Sequence, residues 1–366
     1  MKLAFVTDRG AVALESLRSE LTAIFARDQH EILDQPDEQV DLVLNLTGFD
    51  EPRANYMRPH ASVFVATIVR TETGDAWSDS SELQKAIYRV LVKTMSNVVV
   101  HLVHGGRHGQ RAYFVTPELG FRAVPADETL SRAIADYVTP LAGAHMVINN
   151  RLDEDLPRAL WDGDERSREL AAFGRKLAEM KLLPNVFDIT EILDQRDLRM
   201  MMKVFGIKQL SYGNLSARCD AHSFWMTGRG VQKADLRVIG RDILLVKGYD
   251  AATHTILLSV PEGVDATSRV SVDAIEHFKI YGALPEVGAI VHVHAWMDGI
   301  EATQQSWPCG TEQLADEVLE LVLRAPDPAR AVVGLKNHGL TITGHSLGEI
   351  FERIEGKLVQ AVPALD

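Results

Sequence analysis

The chain has 366 residues, of which 46% are hydrophobic and 24% are charged. This composition is typical of a globular protein with a sizeable core, and the length is sufficient for two domains. The 38 Lys and Arg residues stand against 51 Asp and Glu residues, so the net charge is −13. Because nucleic acids and anionic membranes bind basic surfaces, this charge argues against both as partners.

The cysteines and the N-terminus both favour a cytoplasmic protein. Cys219 and Cys309 are the only cysteines, and they do not form a CxxC motif, which suits a reducing compartment. The strand-like stretch that follows Met1 reaches Asp8 too early to be a signal peptide. No apolar run approaches the length needed to cross a bilayer. We therefore expect a cytoplasmic enzyme or small-molecule binder.

Residues 1–150 alternate between short apolar strands and amphipathic helices, which predicts a smaller α/β domain with a largely parallel sheet. Strands are predicted at 3–8, 41–47, 62–70, 97–104, 112–116 and 144–148. Helices are predicted from about Ala11 to Phe25 and from about Ser80 to Met95. A nucleotide-binding role for this domain is a weak alternative, because it contains no GxGxxG or P-loop sequence.

Residues 151–165 are acidic and polar with one proline, which predicts a linker between domains. Residues 166–366 then form the second domain. Helices are predicted at about 167–183, 188–205, 272–281, 311–324 and 347–359. Short strands with glycines at their joints are predicted at 211–218, 223–230, 242–248, 255–260, 289–296 and 331–344. This pattern predicts an antiparallel-rich sheet with helices packed around it, an α/β/α arrangement.

The stretch "AIVHVHAW" (289–296) carries two histidines on what reads as a buried strand. Residues two apart on a strand face the same side, so His292 and His294 would present their rings together. Hydrogen-bonded core histidines explain this spacing alone as well as a metal site does. His338, in "LKNHGLTITG", supplies a third imidazole, and a catalytic zinc site needs three protein ligands with one position open.

Several segments, taken together and in this order, resemble the class II aldolase/adducin family. The resemblance rests on "YGNLSAR", "WMTGRGVQKADL", "SVDAIEHFKIYGALPEVGAIVHVHA", "PCGTEQLADEV" and "GLKNHGLTITG". It covers about residues 166–366 and does not extend to residues 1–150. It implies a three-layer α/β/α catalytic domain after an N-terminal domain of unknown role.

The resemblance also implies a role for each matching residue. His292, His294 and His338 would bind one divalent metal ion, most readily zinc, with Mn, Fe or Co as alternatives. Asn214 would hydrogen-bond an enolate or substrate oxygen. The residues implied for binding the substrate, including its anionic end, are Gly213, Thr227, Gly228, Arg229 and Ser271. Without the histidines, these glycine-containing loops would be read as ordinary turns.

The sequence departs from the family at the general base. Sugar-phosphate aldolases of this type carry a glutamate nineteen residues before the first histidine, where this chain has Asp273, one methylene shorter. Val272 replaces a second serine of the phosphate-binding members, which weakens the case for a phosphorylated substrate. Arg229 could compensate by binding a carboxylate or phosphate, and a solvated surface arginine is an equal alternative.

These features predict a divalent-metal-dependent lyase of the aldolase type, acting through the enolate of a small hydroxy-carbonyl substrate. Asp273 would be the acid/base and Asn214 a supporting donor. The same enolate serves decarboxylases, epimerases and dehydratases, so these remain alternatives. A non-catalytic adducin-like binding protein is a further alternative, which the three histidines disfavour. The family implies a homo-oligomer, with a tetramer favoured.

Overall fold

A computed structural model describes residues 1–53, 63–72, 81–106, 109–117, 121–182, 192–199, 212–360 and 362–363. The described residues form two compact units. One comprises those of Met1–Ala144, Phe187–Val204 and Pro363–Asp366. The other comprises those of His145–Val186 and Phe205–Val362.

The first unit combines one sheet with three long helices, and residues 195–199 add a short helical segment. Its strands are β1 (Lys2–Thr7), β2 (Glu31–Leu33), β3 (Leu42–Leu46), β4 (Phe64–Thr71), β5 (Val98–Gly106), β6 (Gly109–Val115) and β7 (Phe121–Pro125). Its helices are α1 (Glu15–Arg27), α2 (Ser81–Thr94) and α3 (Leu130–Ala142). The strand order is β2-β1-β3-β4-β5-β6-β7. Pairing is parallel from β2 to β5 and antiparallel for β6 and β7, so the largely parallel sheet is confirmed.

The strand predicted at 144–148 is wrong. Of its apolar residues only Val147 is buried, and it packs in the hydrophobic core of the second unit. The only strand-like contact there is an isolated bridge between Met146 and Thr311.

The second unit is built on a sheet that has eight described strands. They are β8 (Asn149–Asp153), β9 (Asn214–Arg218), β10 (Phe224–Thr227), β11 (Ile243–Asp250), β12 (Thr255–Ser259), β13 (Ala289–Val293), β14 (Val332–Leu335) and β15 (Gly339–Gly344). Their order is β14-β15-β13-β9-β10-β11-β12-β8. Every pairing is antiparallel except that of β12 with β8, which confirms the antiparallel-rich sheet.

Four described helices cover this sheet: α4 (Glu165–Glu179), α5 (Ala274–Ala283), α6 (Glu312–Arg324) and α7 (Leu347–Ile354). Successive side chains of β10 point to opposite faces of the sheet, and their contacts show which helices cover each face. Phe224 and Met226 belong to the core formed with α5 and α6, whereas the indole of Trp225 donates to Asp164, the N-cap of α4. Since α7 contacts α4 as well as β13 and β15, the unit has three layers, α/β/α.

Two predicted boundaries differ from those in the structure. The predicted linker 151–165 contributes residues 151–153 to β8, where Asp153 pairs with Lys247 at 2.9 Å. The last helix, predicted to reach residue 359, ends at Ile354, and Gly356 follows with a left-handed φ of 71°. Most of the helix predicted at 188–205 lies outside the described residues. None of the helices described here is long and apolar enough to span a membrane.

Candidate metal centre

The candidate site is built on a row of side chains that crosses three neighbouring strands. His292 of β13 lies opposite Asn214 of β9 on one side and opposite Thr341 of β15 on the other. Directly opposed residues of antiparallel strands point to the same face of a sheet. The predicted buried strand is present as Ala289–Val293 and carries His292, whereas His294 is the first residue beyond its end.

His338 is brought to these two histidines by a tight turn between β14 and β15. Asn337 adopts a φ of 57°, so the left-handed residue of the turn is an asparagine and not a glycine. Gly339 serves another purpose, because a Cβ at this position would lie 2.2 Å from the carbonyl oxygen of Val293. The glycine thus allows β15 to approach the residues that precede His294.

The three imidazoles converge on one point. One nitrogen from each of His292, His294 and His338 lies within 4.8 Å of the others. The Nε2 atoms of His294 and His338 are 3.2 Å apart. Two nitrogens bound at about 2.0–2.1 Å to one tetrahedral zinc ion are about 3.3 Å apart, so this spacing suits a shared ion.

The protonation states of the imidazoles also suit a metal. Burial lowers the pKa of His338 to about 3 and holds the pKa of His294 well below its usual value. Both rings are therefore neutral near neutral pH, the form that binds metals. Nδ1 of His292 lies 3.0 Å from the carbonyl oxygen of Leu340 and donates to it, which leaves the lone pair on Nε2. That buried Nε2 has no hydrogen-bond partner in the described structure.

Asp273 lies beside this row, at the start of α5. Its carboxylate does not cap the helix. Instead, Oδ2 accepts a hydrogen bond of 2.7 Å from Nδ2 of Asn214 and a longer contact of 3.4 Å from the hydroxyl of Ser271. Oδ1 of Asp273 and Oδ1 of Asn214 are both buried and have no partner among the residues described. The predicted base and its predicted supporting donor are thus in direct contact.

The predicted substrate-binding residues occupy loops that adjoin Asp273. Thr227 is buried, its hydroxyl oxygen accepts from the Leu215 N–H at 3.3 Å, and its carbonyl accepts from the Ser271 N–H at 3.2 Å. The Gly228 N–H donates to the carbonyl of Asp242 at 2.7 Å, so in this structure it is used inside the fold. Gly213 has a φ of 71° and directly precedes Asn214. The side chain of Arg229 is exposed.

Sequence reasoning missed two buried charged residues. Glu276 is 1% exposed, and its carboxyl group accepts a hydrogen bond of 2.5 Å from the Thr341 hydroxyl. Burial, together with the charge of Asp273, raises the pKa of Glu276 well above its usual range. Its spacing of three from Asp273 on a predicted helix was the available signal, since such residues share a helix face.

Lys233 is the second missed residue, and it is 2% exposed. Burial lowers its pKa to about 8, and the charge of Asp273 opposes this shift. Its electrostatic influence also reaches His294. No local pattern in "GVQKADL" distinguishes this lysine from a solvated one, because its burial depends on the tertiary structure.

The whole region is unusually rich in buried polar atoms without partners. In the described part of the chain, eight buried side-chain nitrogen or oxygen atoms have no hydrogen-bond partner. Five of them belong to residues of this region: Asn214, Asp273, Glu276, His277 and His292. Because such atoms are costly to bury, their concentration here indicates a site built to receive polar or metal ligands.

Comparison with known families identifies this part of the chain. The family described as "Class II Aldolase and Adducin N-terminal domain" matches residues 197–356, a range that includes all three histidines, Asn214 and Asp273. Residues 197–356 thus match the class II aldolase/adducin family. None of the curated proteins compared with the chain matches it.

Solved structures of similar proteins include L-fuculose 1-phosphate aldolase, which is 17% identical over 53% of this chain and 81% of that protein, with a TM-score of 0.35. YgbL from Klebsiella pneumoniae, whose reaction is given as a choice between aldolase, epimerase and decarboxylase, is 16% identical over 52% and 84%, with a TM-score of 0.35. YgbL from Escherichia coli is 16% identical over 52% and 83%, with a TM-score of 0.34.

The donor set of the site fits a divalent metal ion. Three neutral imidazoles supply nitrogen ligands. The buried Nε2 of His292 has no hydrogen-bond partner among the described residues, so its lone pair is available to a metal ion. The carboxylate of Asp273 lies beside this site, where it is held by Asn214.

Proposed function

We propose that this protein is a divalent-metal-dependent lyase of the aldolase type. It would cleave or form a carbon–carbon bond through the enolate of a small hydroxy-carbonyl substrate. One observation supports this above the others: three buried, neutral imidazoles converge beside the hydrogen-bonded pair of Asn214 and Asp273. A domain that only bound a protein partner would gain nothing from burying these groups.

In this proposal His292, His294 and His338 hold the ion, with zinc as the first choice and Mn, Fe or Co as alternatives. The bound ion supplies a Lewis acid for the substrate carbonyl and the enolate charge. The identity of the ion is proposed from the imidazole ligands, which zinc accepts readily.

Asp273 is the proposed acid/base. Its Oδ2 is held by Asn214, so Oδ1 is the atom that removes or returns the substrate proton. Glu276, whose raised pKa keeps it protonated near neutral pH, is a second carboxyl group with a proton to donate. The shorter reach of Asp273 is offset in this way by a buried acid on the same helix face.

The remaining polar groups are proposed to bind and orient the substrate. Asn214 and the hydroxyls of Thr227 and Ser271 donate to its oxygens, while Arg229 and the buried Lys233 favour an anionic end. We also propose a cytoplasmic homo-oligomer, with a tetramer favoured, which size-exclusion chromatography with light scattering would test.

The experiment is a substrate screen with metal-loaded and metal-stripped protein. Hydroxy-ketones and hydroxy-acids, phosphorylated and free, are incubated with each form, and NMR follows aldehyde release, epimer formation, dehydration and carbon dioxide loss. We expect aldehyde release that requires the metal. Exclusive formation of one of the other products would replace the lyase assignment by that reaction. Metal content below about half an equivalent after supplementation would contradict the enzyme proposal.

A further inference from the structure

A cavity of about 300 Å³ lies in the first unit, far in sequence from the three histidines. It is enclosed by the start of α1, the ends of β4 and β5, the start of β6 and the segment that leads into α3. Pockets that bind small molecules measure about 300–1,000 Å³, so this volume suits a small ligand.

The cavity lies at the carboxyl ends of two parallel strands. Arg70, near the end of β4, is opposite Leu102 of β5, and His104 lies two residues further along β5. All three residues line the cavity. Open α/β sheets bind their ligands outside the carboxyl ends of the strands, so the position of this cavity is that of a ligand site.

The floor of the cavity is apolar. Four buried leucines line it: Leu14, Leu17, Leu102 and Leu130. They come from separate segments of the chain, so this apolar surface exists only in the folded unit. An aliphatic group of a ligand would displace water from the surface that these side chains leave open.

Arg70 is a cation at the cavity with few partners. Its Nη1 makes only a 3.4 Å contact with the carbonyl oxygen of Ala13, and its Nη2 lies 3.1 Å from Glu72, whose side chain is 68% exposed. Nε is buried and has no hydrogen-bond partner among the described residues. Because an exposed ion pair contributes little, the guanidinium is available to bind a ligand carboxylate through two hydrogen bonds.

Two carboxylates also line the cavity, and neither pairs with a cation in the described part of the chain. Glu20 accepts hydrogen bonds from the hydroxyls of Ser16 and Ser131. Asp127 accepts from the N–H of Thr129 at 2.9 Å and from its hydroxyl at 2.6 Å. These hydrogen bonds lower the pKa of Asp127, so its carboxylate is ionised at neutral pH.

The distribution of charge around the apolar floor favours a zwitterion. A ligand with only a negative group would meet Arg70 but also two carboxylates, and a ligand with only a positive group would leave the guanidinium without a partner. An amino acid satisfies both: its carboxylate accepts from Arg70, its ammonium group donates to the carboxylates, and its side chain covers the leucines.

We propose that the first unit binds a free amino acid with an aliphatic side chain in this cavity. Arg70 holds the ligand carboxylate, and Glu20 and Asp127 hold the ammonium group. The inference does not depend on the metal-dependent function proposed above.

The test is calorimetric titration of the full chain with leucine, isoleucine and valine in turn. The protein is stripped of metal, because an amino acid would otherwise chelate an ion held by the histidines. The amino acid that binds is compared with two analogues, which for leucine are 4-methylpentanoic acid, without the amino group, and 3-methylbutylamine, without the carboxylate. We expect each analogue to bind about tenfold or more weakly, since each leaves a charged group of the cavity unpaired.

Two variants assign the contacts. Arg70→Gln should weaken amino-acid binding about tenfold or more and remove the preference over the amine analogue, because the carboxylate has lost its partner. Asp127→Asn should instead reduce the preference over the carboxylic acid analogue. Arg27→Gln, at an exposed position of α1 outside the cavity lining, should bind as the native protein does. Thermal unfolding checks that each variant is folded.

Three results would overturn the inference. One is the absence of binding of all three amino acids at about 10 mM, by calorimetry and by ligand-observed NMR. The second is a carboxylic acid analogue that binds as tightly as the amino acid. The third is a folded Arg70→Gln with native affinity, which would place the bound amino acid elsewhere on the chain. None of these results bears on the three-histidine site, whose metal content is measured separately.

Discussion

Asn214 donates a hydrogen bond from Nδ2 to Oδ2 of Asp273 at 2.7 Å, although the two residues are 59 positions apart in sequence. The contact joins the strand next to the HxH strand to the start of α5 (Ala274–Ala283). It fixes one oxygen of the shorter carboxylate and leaves Oδ1 unpartnered among the described residues. Asp273 is therefore oriented in the site instead of capping its own helix.

The first prediction concerns this carboxylate. Asp273→Asn keeps the size of the side chain but removes the proton acceptor, so turnover should fall by about 10²–10⁴-fold. Bound metal should stay at about one equivalent, because Asp273 is not among the three converging ligands. Kinetics and metal analysis on the same preparation check both parts. The exposed Asp298→Asn is the control, and unchanged turnover in Asp273→Asn would move the base to another residue.

The second prediction concerns the metal ligands. His294→Ala removes one of three converging nitrogens, so the purified variant should bind less than about half an equivalent of zinc. Elemental analysis after dialysis against zinc measures the occupancy. His222→Ala, which changes an exposed histidine of the same unit, should keep full occupancy. Full occupancy in His294→Ala would refute its role as a ligand.

The third prediction concerns Glu276, whose pKa is raised by burial and by the charge of Asp273. In the unfolded chain the pKa of this carboxyl group is about 4.5, so above that pH the unfolded chain releases a proton that the folded chain keeps. The free energy of unfolding therefore falls as the pH rises, and Glu276 destabilises the fold at neutral pH. Glu276→Gln removes this cost and should stabilise the metal-free protein by more than about 1 kcal/mol near pH 8, since one pKa unit is about 1.36 kcal/mol.

Urea denaturation of the metal-free protein between about pH 5 and pH 8 measures this gain, which should shrink toward the acidic end. Glu286→Gln, at an exposed position near the end of α5, should show no such trend. We also expect lower turnover in Glu276→Gln, because the amide has no acidic proton. If Glu276→Gln had the same free energy of unfolding as the native protein at every pH, the pKa of Glu276 would not be raised and the prediction would be wrong.

The fourth prediction concerns the N-terminal unit, where His101 is fully buried and stacks on Phe49 with ring centroids 5.2 Å apart. Burial lowers the pKa of His101 to about 4. The unfolded chain therefore takes up a proton that the folded chain does not, and stability should fall as the pH drops from about 6.5 toward 4.

Between about pH 7 and pH 5.5 the loss assigned to His101 is about 1 kcal/mol. His101→Phe should remove it, whereas His104→Phe, at an exposed position of the same strand, should not. Urea denaturation at the two pH values measures the difference, and NMR titration of the ring reports the pKa directly. A pKa of His101 near 6.5 would contradict the prediction.

The local patterns were sufficient for some features of the site and insufficient for others. Period-two spacing predicts that His292 and His294 share a face, because alternation is a property of any strand. The burial of Lys233 was not predicted, since nothing near it in sequence shows which part of the fold will cover it, and for Glu276 the spacing of three from Asp273 was the one local signal. The apolar run 144–148 was misassigned for the same reason, because Val147 is buried by a core formed from distant segments.

The last prediction concerns the turn that carries His338. The resemblance predicts this histidine, and its glycines suggested a sharp turn, but the left-handed residue is Asn337, whereas Gly339 gives β15 the space to approach Val293. Gly339→Ala would place a Cβ 2.2 Å from a backbone oxygen, which cannot move as a side-chain end can. We expect destabilisation of about 1–3 kcal/mol and weaker zinc binding, because the turn must shift His338.

Gly282→Ala is the matched control for this substitution. Gly282 lies in α5, has no atom within 4 Å of an added Cβ and does not have a positive φ. Alanine there should stabilise the protein by about 0.4–1 kcal/mol by restricting the unfolded chain, with no change in zinc affinity. Denaturant unfolding and calorimetric zinc titration compare the two variants. Equal zinc affinities would show that the position of His338 does not depend on the close approach at Gly339.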